Sequence, residues 1–354
     1  EGALLNNRLM FGVNFYRSKI SNLLTQQAVS DITGLPFMWS NGGAMKNIGV
    51  NANLSAVLIN KRDWRWEVSG SVGHYKNEIT QLPGSNTIEY YRLDDRGQQV
   101  GDPYKTVNGY TSSIYGTDNV LTAVGVFYGY QTQGVFASAE EAQEAGLRYP
   151  TGLTNDPYRE FKAGDVHFVD QNGDGWIDES DMVKIGDPNP DIYGNFATRL
   201  SWKDLTLDVM FKYSLGNDIF NYQRSQLESG NTSWNQTTAM VNRWRYDGQV
   251  TDVPRAVSAT SSDWVNNERF SDRWIEDGSY LKLKKIRLTY RIPVNVSWLQ
   301  SLSVWGEANN VFTVTKYLGL DPEVSCSNSV LSQGIDAGYL PQSCNFNLGV
   351  TINL

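Results

Sequence analysis

Apolar and polar residues alternate along eight stretches of the chain, with the period of two residues that a β-strand with two different faces requires. The last stretch, CNFNLGVTINL at 344–354, places an apolar side chain at nearly every second position, between asparagine and threonine. In 280–291 the alternation changes phase at Lys284 and Lys285, which predicts a β-bulge. The eight predicted strands are residues 8–20, 45–59, 64–79, 190–202, 205–216, 280–291, 301–314 and 343–354.

Short and long connections alternate between these strands. The short ones include NKRD after residue 59 and KD after residue 202, whereas the long ones are 21–44, 80–189, 217–279 and 315–342. Tight turns at one edge and long loops at the other are typical of an outer-membrane β-barrel. The predicted strands have about 11 to 16 residues, longer than most strands of globular sheets and long enough to cross a bilayer at a tilt. A soluble β-sandwich with one wet face shows the same alternation and is the alternative.

Five tryptophans lie near the short turns, where the aromatic girdle of a membrane barrel is expected. They are Trp64, Trp66, Trp202, Trp298 and Trp305.

Composition narrows the class of protein further. The net charge is −8 and the pI about 4.9, so no basic surface for a nucleic acid is expected. The sequence contains no run of about 18 apolar residues, so it predicts no transmembrane helix. The chain begins EGALLNNRLM, with no initiator methionine or signal sequence, and we expect it to start downstream of the true N-terminus.

The segment DQNGDGWIDESD at 170–181 has the spacing of a calcium loop. Gly175 occupies the sixth position, where the chain must turn sharply. Pro188 and Pro190 argue against the exiting helix of an EF-hand, so we expect a structural Ca²⁺ loop between strands. A metal-free loop stabilised by Asx turns is the alternative. The expected oxygen ligands are Asp170, Asn172, Asp174, the Trp176 carbonyl, Asp178 and Asp181.

No set of catalytic residues stands out, and we predict that the protein is not an enzyme. His74 and His167 have no nucleophile near them in the sequence, and Cys326 lacks a nucleophile motif. Cys326 and Cys344 can pair in an oxidising compartment or remain two reduced thiols. Aromatic and amide residues in the long loops suit sugars, peptide backbones or a protein interface. The candidate contacts are Trp39, Tyr90, Tyr91, Trp234 and Trp264.

Several segments resemble the C-terminal third of the SusC/RagA family of TonB-dependent outer-membrane transporters. They are GDVHFVDQNGDGWIDESDMVKIGDPNPDIYGNF (164–196), SDRWIEDGSYLKLKKIRLTYRIP (271–293), LSVWGEANNVFTVTKYLGLDPEV (302–324) and GIDAGYLPQSCNFNLGVTINL (334–354). The stretches 6–24 and 47–79 resemble mid-barrel strands of the same family, and 124–142 resembles its long-loop insertion.

The resemblance implies an all-β fold: a transmembrane antiparallel up-and-down β-barrel of 22 strands, of which residues 1–354 supply the last eight. It further implies a place in the outer membrane, contact with its lipid, a SusD-like surface lipoprotein as partner, and import of oligosaccharides or peptides. TonB would act through an N-terminal region and plug that have no counterpart here. The chain also ends in Leu354, where the family usually has Phe. Two other functions remain open: a non-transporting SusC-like structural subunit of an outer-membrane complex, and a soluble calcium-stabilised β-sandwich that binds carbohydrate.

Overall fold

The long strands form one antiparallel sheet of nine strands. In the computed structural model, residues 1–353 are described except 29–36, 42, 82–87, 94–98, 108–111, 115–122, 154–155, 297 and 326–331. The sheet follows chain order with long loops between some neighbours, which is an up-and-down topology. Its strands are β1 (Gly2–Leu4), β2 (Leu9–Ser21), β5 (Ala44–Asn60), β6 (Trp64–Gln81), β16 (Ile192–Trp202), β17 (Leu205–Leu215), β20 (Tyr280–Ile292), β21 (Ser301–Thr315) and β23 (Asn345–Asn353).

The other elements lie in the long connections, and they are short. The strands are β3 (Leu24–Ala28), β4 (Phe37–Asn41), β7 (Ile88–Leu93), β8 (Gln99–Val107), β9 (Ser112–Ile114), β10 (Phe127–Gly129), β11 (Thr132–Val135), β12 (Arg148–Leu153), β13 (Asp156–Glu160), β14 (Val166–Phe168), β15 (Val183–Gly186), β18 (Asp218–Asn221), β19 (Ile275–Asp277) and β22 (Ile335–Asp336). The helices are α1 (Ala139–Ala145), α2 (Tyr222–Leu227) and the 3-10 helices Glu179–Asp181, Thr238–Asn242 and Asp272–Trp274.

The register gives the large sheet one apolar and one polar face. Phe11 lies opposite Leu54, and Phe196 lies opposite Phe211, so apolar residues form continuous rows across the strands. Asn195 lies opposite Ser71 on the other face. Side chains of the apolar face are exposed, Leu348 to 90%, and in the described part of the chain no second sheet covers them. This arrangement contradicts the β-sandwich alternative, in which a partner sheet buries that face.

The predicted bulge is confirmed. The pairing of β20 with β21 shifts register between Leu283 and Lys285, and the pairing of β17 with β20 shifts at the same level, between Met210 and Phe211. One extra residue therefore accounts for the change of phase in the sequence pattern.

The aromatic girdle is only partly as predicted. Trp64 and Trp202 stack with ring centroids 5.8 Å apart at the short-turn end of the apolar face. Trp305 was wrongly assigned to this girdle: it lies opposite Thr289 and Gly349, on the polar face. There the Arg287 guanidinium covers its ring at 4.1 Å.

The buried core lies in the long loops rather than in the sheet. We call the described residues of 123–187, 216–279 and 317–340 the outer-loop module. One cluster packs Phe136, Phe161, Phe168 and Ile177 around Val265, and a second packs Phe127, Phe220 and Phe270 around Trp274. Both clusters join residues of the 80–189 loop to residues of the 217–279 loop. These two loops therefore fold as one packed body beside the sheet.

The fold is all-β, as predicted. Its large sheet is open, and Gly2–Leu4 and Asn345–Asn353 are its two edges among the described residues. None of the described helices has both the length and the apolar character needed to span a membrane.

Candidate functional site

The loop at 170–175 is held by hydrogen bonds from its own backbone. Asp170 Oδ1 accepts from the Gly173 amide at 2.6 Å, and Oδ2 accepts from the Gly175 amide at 2.7 Å. Gly175 has a φ of 81°, the left-handed conformation that the sequence spacing predicts at the sixth position. The backbone thus makes the sharp turn expected of a calcium loop.

The second half of the loop closes on a buried carboxylate. Asp181 is fully buried and accepts from the amides of Gln171 and Asp178, both at 2.9 Å. Burial raises the pKa of Asp181 to about 7, although these two hydrogen bonds lower it and the Asp178 and Asp170 charges raise it further. Asp178 caps the 3-10 helix Glu179–Asp181, and the strand Val183–Gly186 follows where an EF-hand would place a helix.

The residue types of the 170–181 loop suit calcium, but its side chains are not positioned as a metal site. Carboxylate, amide and carbonyl oxygens are the ligands that Ca²⁺ takes. However, the described residues include no group of three Asp, Glu, His or Cys side chains placed to hold a metal ion. The Asp170 and Asp181 oxygens face backbone amides, and Asn172 Nδ2 donates to Asp174 Oδ2 at 3.0 Å. Calcium binding by this loop therefore stays a prediction.

A buried ion pair joins the two long loops of the outer-loop module. Asp165 is fully buried, and its two oxygens accept from Arg255 Nε at 2.7 Å and Nη2 at 3.0 Å. Asn267 Nδ2 donates to the same carboxylate at 2.9 Å. These donors belong to loop residues about 90 to 100 positions away in the sequence. The carboxylate of Asp165 therefore ties the 80–189 loop to the 217–279 loop.

A second buried cation, Arg269, lies among aromatic rings next to the calcium-loop sequence. Its guanidinium is 4.6 Å from the Phe168 ring centroid and 4.9 Å from that of Tyr130. Arg269 also donates to the Ile177 carbonyl at 3.3 Å. Burial lowers the pKa of Arg269. Its hydrogen bond to Ile177 ties residues 170–181 to the core of the module.

Three lysines and two carboxylates meet where the polar face of the sheet reaches the outer loops. Lys282 is almost fully buried, and its Nζ lies 2.7 Å from Asp321 Oδ1 and 2.9 Å from Glu323 Oε2. Lys284 approaches Glu323 within 3.1 Å, and Lys212 also pairs with it. The segment 321–323 is therefore held against the sheet by charge. Sequence patterning did not reveal this cluster because its acids and bases lie in different elements.

Because these ion pairs need ionised carboxylates, we expect acid to release the segment 321–323 from the sheet. Burial opposes ionisation of Glu323, but the bonds from Lys212 and Lys282 outweigh it and lower its pKa to about 2. A carboxyl with a lowered pKa stabilises the folded state above its unfolded pKa of about 4.3, and that stability is lost as pH falls towards 2. We expect a nitroxide at position 318 to become more mobile across this range, as measured by electron paramagnetic resonance. Glu323→Gln, the control, should remove most of the transition; an unchanged transition would contradict the assignment.

The predicted contact residues lie in three different parts of the fold: β4, β7 and the outer-loop module. Trp39 is 59% exposed in β4, and Trp234 is 70% exposed in the outer-loop module. Trp264 is half-buried, and its Nε1 donates to Glu268 at 3.0 Å, so its indole is engaged inside the module. Tyr90 and Tyr91 lie in β7, but their side chains are outside the described part of the structure.

The histidines and cysteines singled out in the sequence lie in different parts of the fold. His74 lies 2.6 Å from the Asp191 carbonyl through Nδ1, and His167 stacks on Phe136 with centroids 4.2 Å apart. Cys344 is exposed, whereas Cys326 lies outside the described residues, so the disulfide between them stays a prediction.

The chain is similar over nearly its whole length to TonB-dependent receptors. It is 28% identical to TonB-dependent receptor P3 of Formosa agariphila, over 99% of this chain and 33% of that protein. It is 26% identical to TonB-dependent receptor SusC of Bacteroides thetaiotaomicron, over 98% of this chain and 30% of that protein. No family model matches the chain. The chain therefore spans about a third of the length of the curated relatives that it matches.

Solved structures of a related transporter have the same fold over nearly the whole chain. The RagAB peptide transporter superposes with a TM-score of 0.68 at 25% identity, over 98% of this chain and 34% of that one. The "open-open" state of the RagAB peptide importer superposes with a TM-score of 0.67 at 24% identity, over 99% of this chain and 33% of that one. These matches confirm the resemblance to SusC/RagA-type transporters and the barrel-wall fold that the sequence motifs indicate.

Proposed function

We propose that this chain forms a stretch of barrel wall and outer loops in a SusC-like TonB-dependent transporter of the outer membrane, and that it is not an enzyme. The observation that carries the proposal is the large sheet with an uncovered apolar face on one side and an amide-rich face on the other. The apolar face suits lipid and the polar face suits a wet lumen. The named relatives, receptors and transporters, support the same function.

The cargo in this proposal is an oligosaccharide or a peptide, taken up together with a SusD-like lipoprotein over the outer-loop module. RagAB is a peptide transporter, and this supports a peptide as one of the two candidates. In this chain, exposed Trp39 and Trp234 are candidate contacts with cargo or partner. Within the chain itself the mechanism is passive: the strands form the wall, the polar face keeps the lumen hydrated, and the loops shape the entrance. Coupling to TonB would reside outside these strands.

Growth on single nutrients tests this function. A strain without the gene is compared with wild type on a panel of single polysaccharides and peptide digests. The proposal predicts lost growth on one nutrient, restored by the whole gene but not by a version whose TonB-contacting segment is deleted, and co-purification of a surface lipoprotein. Unchanged growth on the whole panel, with the protein co-purifying in an envelope complex, would favour the alternative of a non-transporting structural subunit.

We further propose that Ca²⁺ binds the 170–181 loop as a structural ion. The support is the all-oxygen donor set, the left-handed Gly175 and the buried Asp181. We expect EGTA to lower the thermal midpoint of the outer-loop module and added Ca²⁺ to restore it, as measured by intrinsic tryptophan fluorescence. Asp174→Ala should abolish the response, while Asp247→Ala, elsewhere in the module, should keep it. A midpoint that EGTA leaves unchanged would support the metal-free Asx-turn alternative.

A further inference from the structure

The polar face of the first four long strands carries no formal charge over five successive levels of the sheet. Register places Met10, Ser55, Ser69 and Ala197 at one end of this area and Ser18, Asn47 and Asn77 at the other. The residues between are Gly12, Asn14, Tyr16, Gly49, Asn51, Asn53, Ser71, Gly73, Tyr75, Tyr193 and Asn195. The same face of β17, β20 and β21 differs sharply, since it carries Asp208, Lys212, Lys282, Arg287 and Glu307.

Glycines on neighbouring strands let tyrosine rings lie across the uncharged area. A Cβ on Gly49 would come within 2.4 Å of the Tyr16 ring, and one on Gly73 within 2.5 Å of the Tyr193 ring. Tyr75 and Tyr193 meet edge to face with centroids 5.9 Å apart. The rings are half-exposed. Because no side chain stands under them, Tyr16 and Tyr193 lie close against the sheet with aromatic surface turned to the lumen side.

Hydrogen-bonding groups without charge surround these rings. Asn195 Nδ2 donates to Ser71 Oγ at 2.8 Å, and the Tyr193 hydroxyl donates to Asn51 Oδ1 at 3.3 Å. Asn51 and its neighbour Asn53 are exposed. Asn51, Asn53, Ser71, Tyr193 and Asn195 border a concavity of about 510 Å³, which Glu1 and Lys212 also line. Its volume is within the range of small-ligand sites.

We propose that this area, the tyrosine–amide wall (Tyr16, Tyr75, Tyr193, Asn51, Asn53 and Asn195), is a binding subsite for a neutral oligosaccharide. Sugar rings combine C–H faces, which pack on the electron-rich faces of tyrosine, with hydroxyl groups that amides bind as both donor and acceptor. A peptide brings ionised termini and side chains, and the six side chains of the wall carry no charge to pair with them. The charged residues that also line the concavity, Glu1 and Lys212, lie outside the wall, on either side of its four strands. The inference rests on the proposed function and narrows its cargo to a neutral glycan.

Binding by the native full-length polypeptide in detergent tests the wall. The probes are an array of neutral oligosaccharides and, for comparison, a tryptic digest of casein, with affinity for the best glycan measured by calorimetry. We expect a neutral glycan to bind, and Tyr16→Ala with Tyr193→Ala to weaken it by about tenfold or more. Tyr193→Phe keeps the ring and should retain most of the affinity. Tyr290→Ala, on the opposite face of the sheet, is the control and should leave binding unchanged.

Three outcomes overturn the subsite: no neutral glycan binds, the digest alone binds, or the double variant binds the glycan as tightly as the parent. The growth experiment separates this failure from failure of the transporter function. TonB-dependent growth on a peptide digest, with no glycan binding, removes the sugar subsite and leaves the transporter intact. Glycan binding that depends on the tyrosines, with no TonB-dependent growth, keeps the subsite and removes the transporter.

Discussion

Asp165→Ala is expected to lower the free energy of unfolding of the outer-loop module by about 3 to 5 kcal/mol. The substitution leaves the Arg255 guanidinium, whose side chain is only 17% exposed, without its carboxylate partner. It also removes the acceptor of Asn267 Nδ2 and of the Lys162 amide. Breaking a buried pair from one side is costly because the remaining charge keeps its desolvation penalty. Pulse proteolysis of the purified native polypeptide across a urea series measures the change.

Two controls isolate the buried pair. Asp263→Ala removes another aspartate of the same module, but its partner Lys162 and Asp263 itself are about half exposed, so the expected loss is below about 1 kcal/mol. Asp165→Leu with Arg255→Met removes both charges and should recover the part of the loss that the unpaired Arg255 charge causes. The part that comes from Asn267 Nδ2 and the Lys162 amide, which lose their acceptor, should remain. Equal effects of Asp165→Ala and Asp263→Ala would show that the buried pair does not hold the two loops together.

Phe196→Arg is expected to destabilise the barrel in a membrane by about 2 to 4 kcal/mol. Phe196 lies midway along β16, between Gly70 and Phe211 on the apolar face, and is 45% exposed. In the bilayer the guanidinium would enter hydrocarbon, where it loses its hydration. Urea unfolding in liposomes, followed by tryptophan fluorescence, measures the loss.

The matched control is the next residue along the same strand. Ala197 lies on the polar face, opposite Ser69 and Met210. Ala197→Arg directs its charge to the wet side and should cost much less than Phe196→Arg. Similar losses at the two positions would mean that both faces of the sheet meet the same solvent.

Local patterning was sufficient for the eight long strands of the sheet but missed β1 (Gly2–Leu4), whose three residues are too few to show an alternation. Alternation with a period of two marks each long strand, and the change of phase at Lys284 reappears as the shifted pairing of β20 with its neighbours. Trp305 shows that nearness to a short turn is not enough to predict a girdle residue. The alternation within its own strand places Trp305 on the polar face.

Such patterns could not predict the outer-loop module. Its contacts join residues far apart in the chain, such as Asp165 with Arg255, and they depend on packing rather than on a repeating period. The calcium-loop spacing predicted the turn at Gly175, yet could not show that Asp170 and Asp181 would face backbone amides.

The alternation pattern also did not predict that the residues of the tyrosine–amide wall are neighbours. Tyr16, Tyr75 and Tyr193 come from three strands and are brought together only by register. Alternation assigns each tyrosine to a face of its own strand, but the pairing of strands decides which residues become neighbours across the sheet.

The central claim, that one face of the sheet meets lipid and the other meets water, is tested most directly by spin labels along β16. Single cysteines at positions 195 to 200 are labelled in the native polypeptide after Cys326→Ser and Cys344→Ser, and the protein is placed in liposomes. Collisions with dissolved oxygen and with a water-soluble nickel complex are then measured. We predict a period of two, with positions 196, 198 and 200 accessible to oxygen and 195, 197 and 199 accessible to nickel. Equal nickel access at every position would contradict the claim.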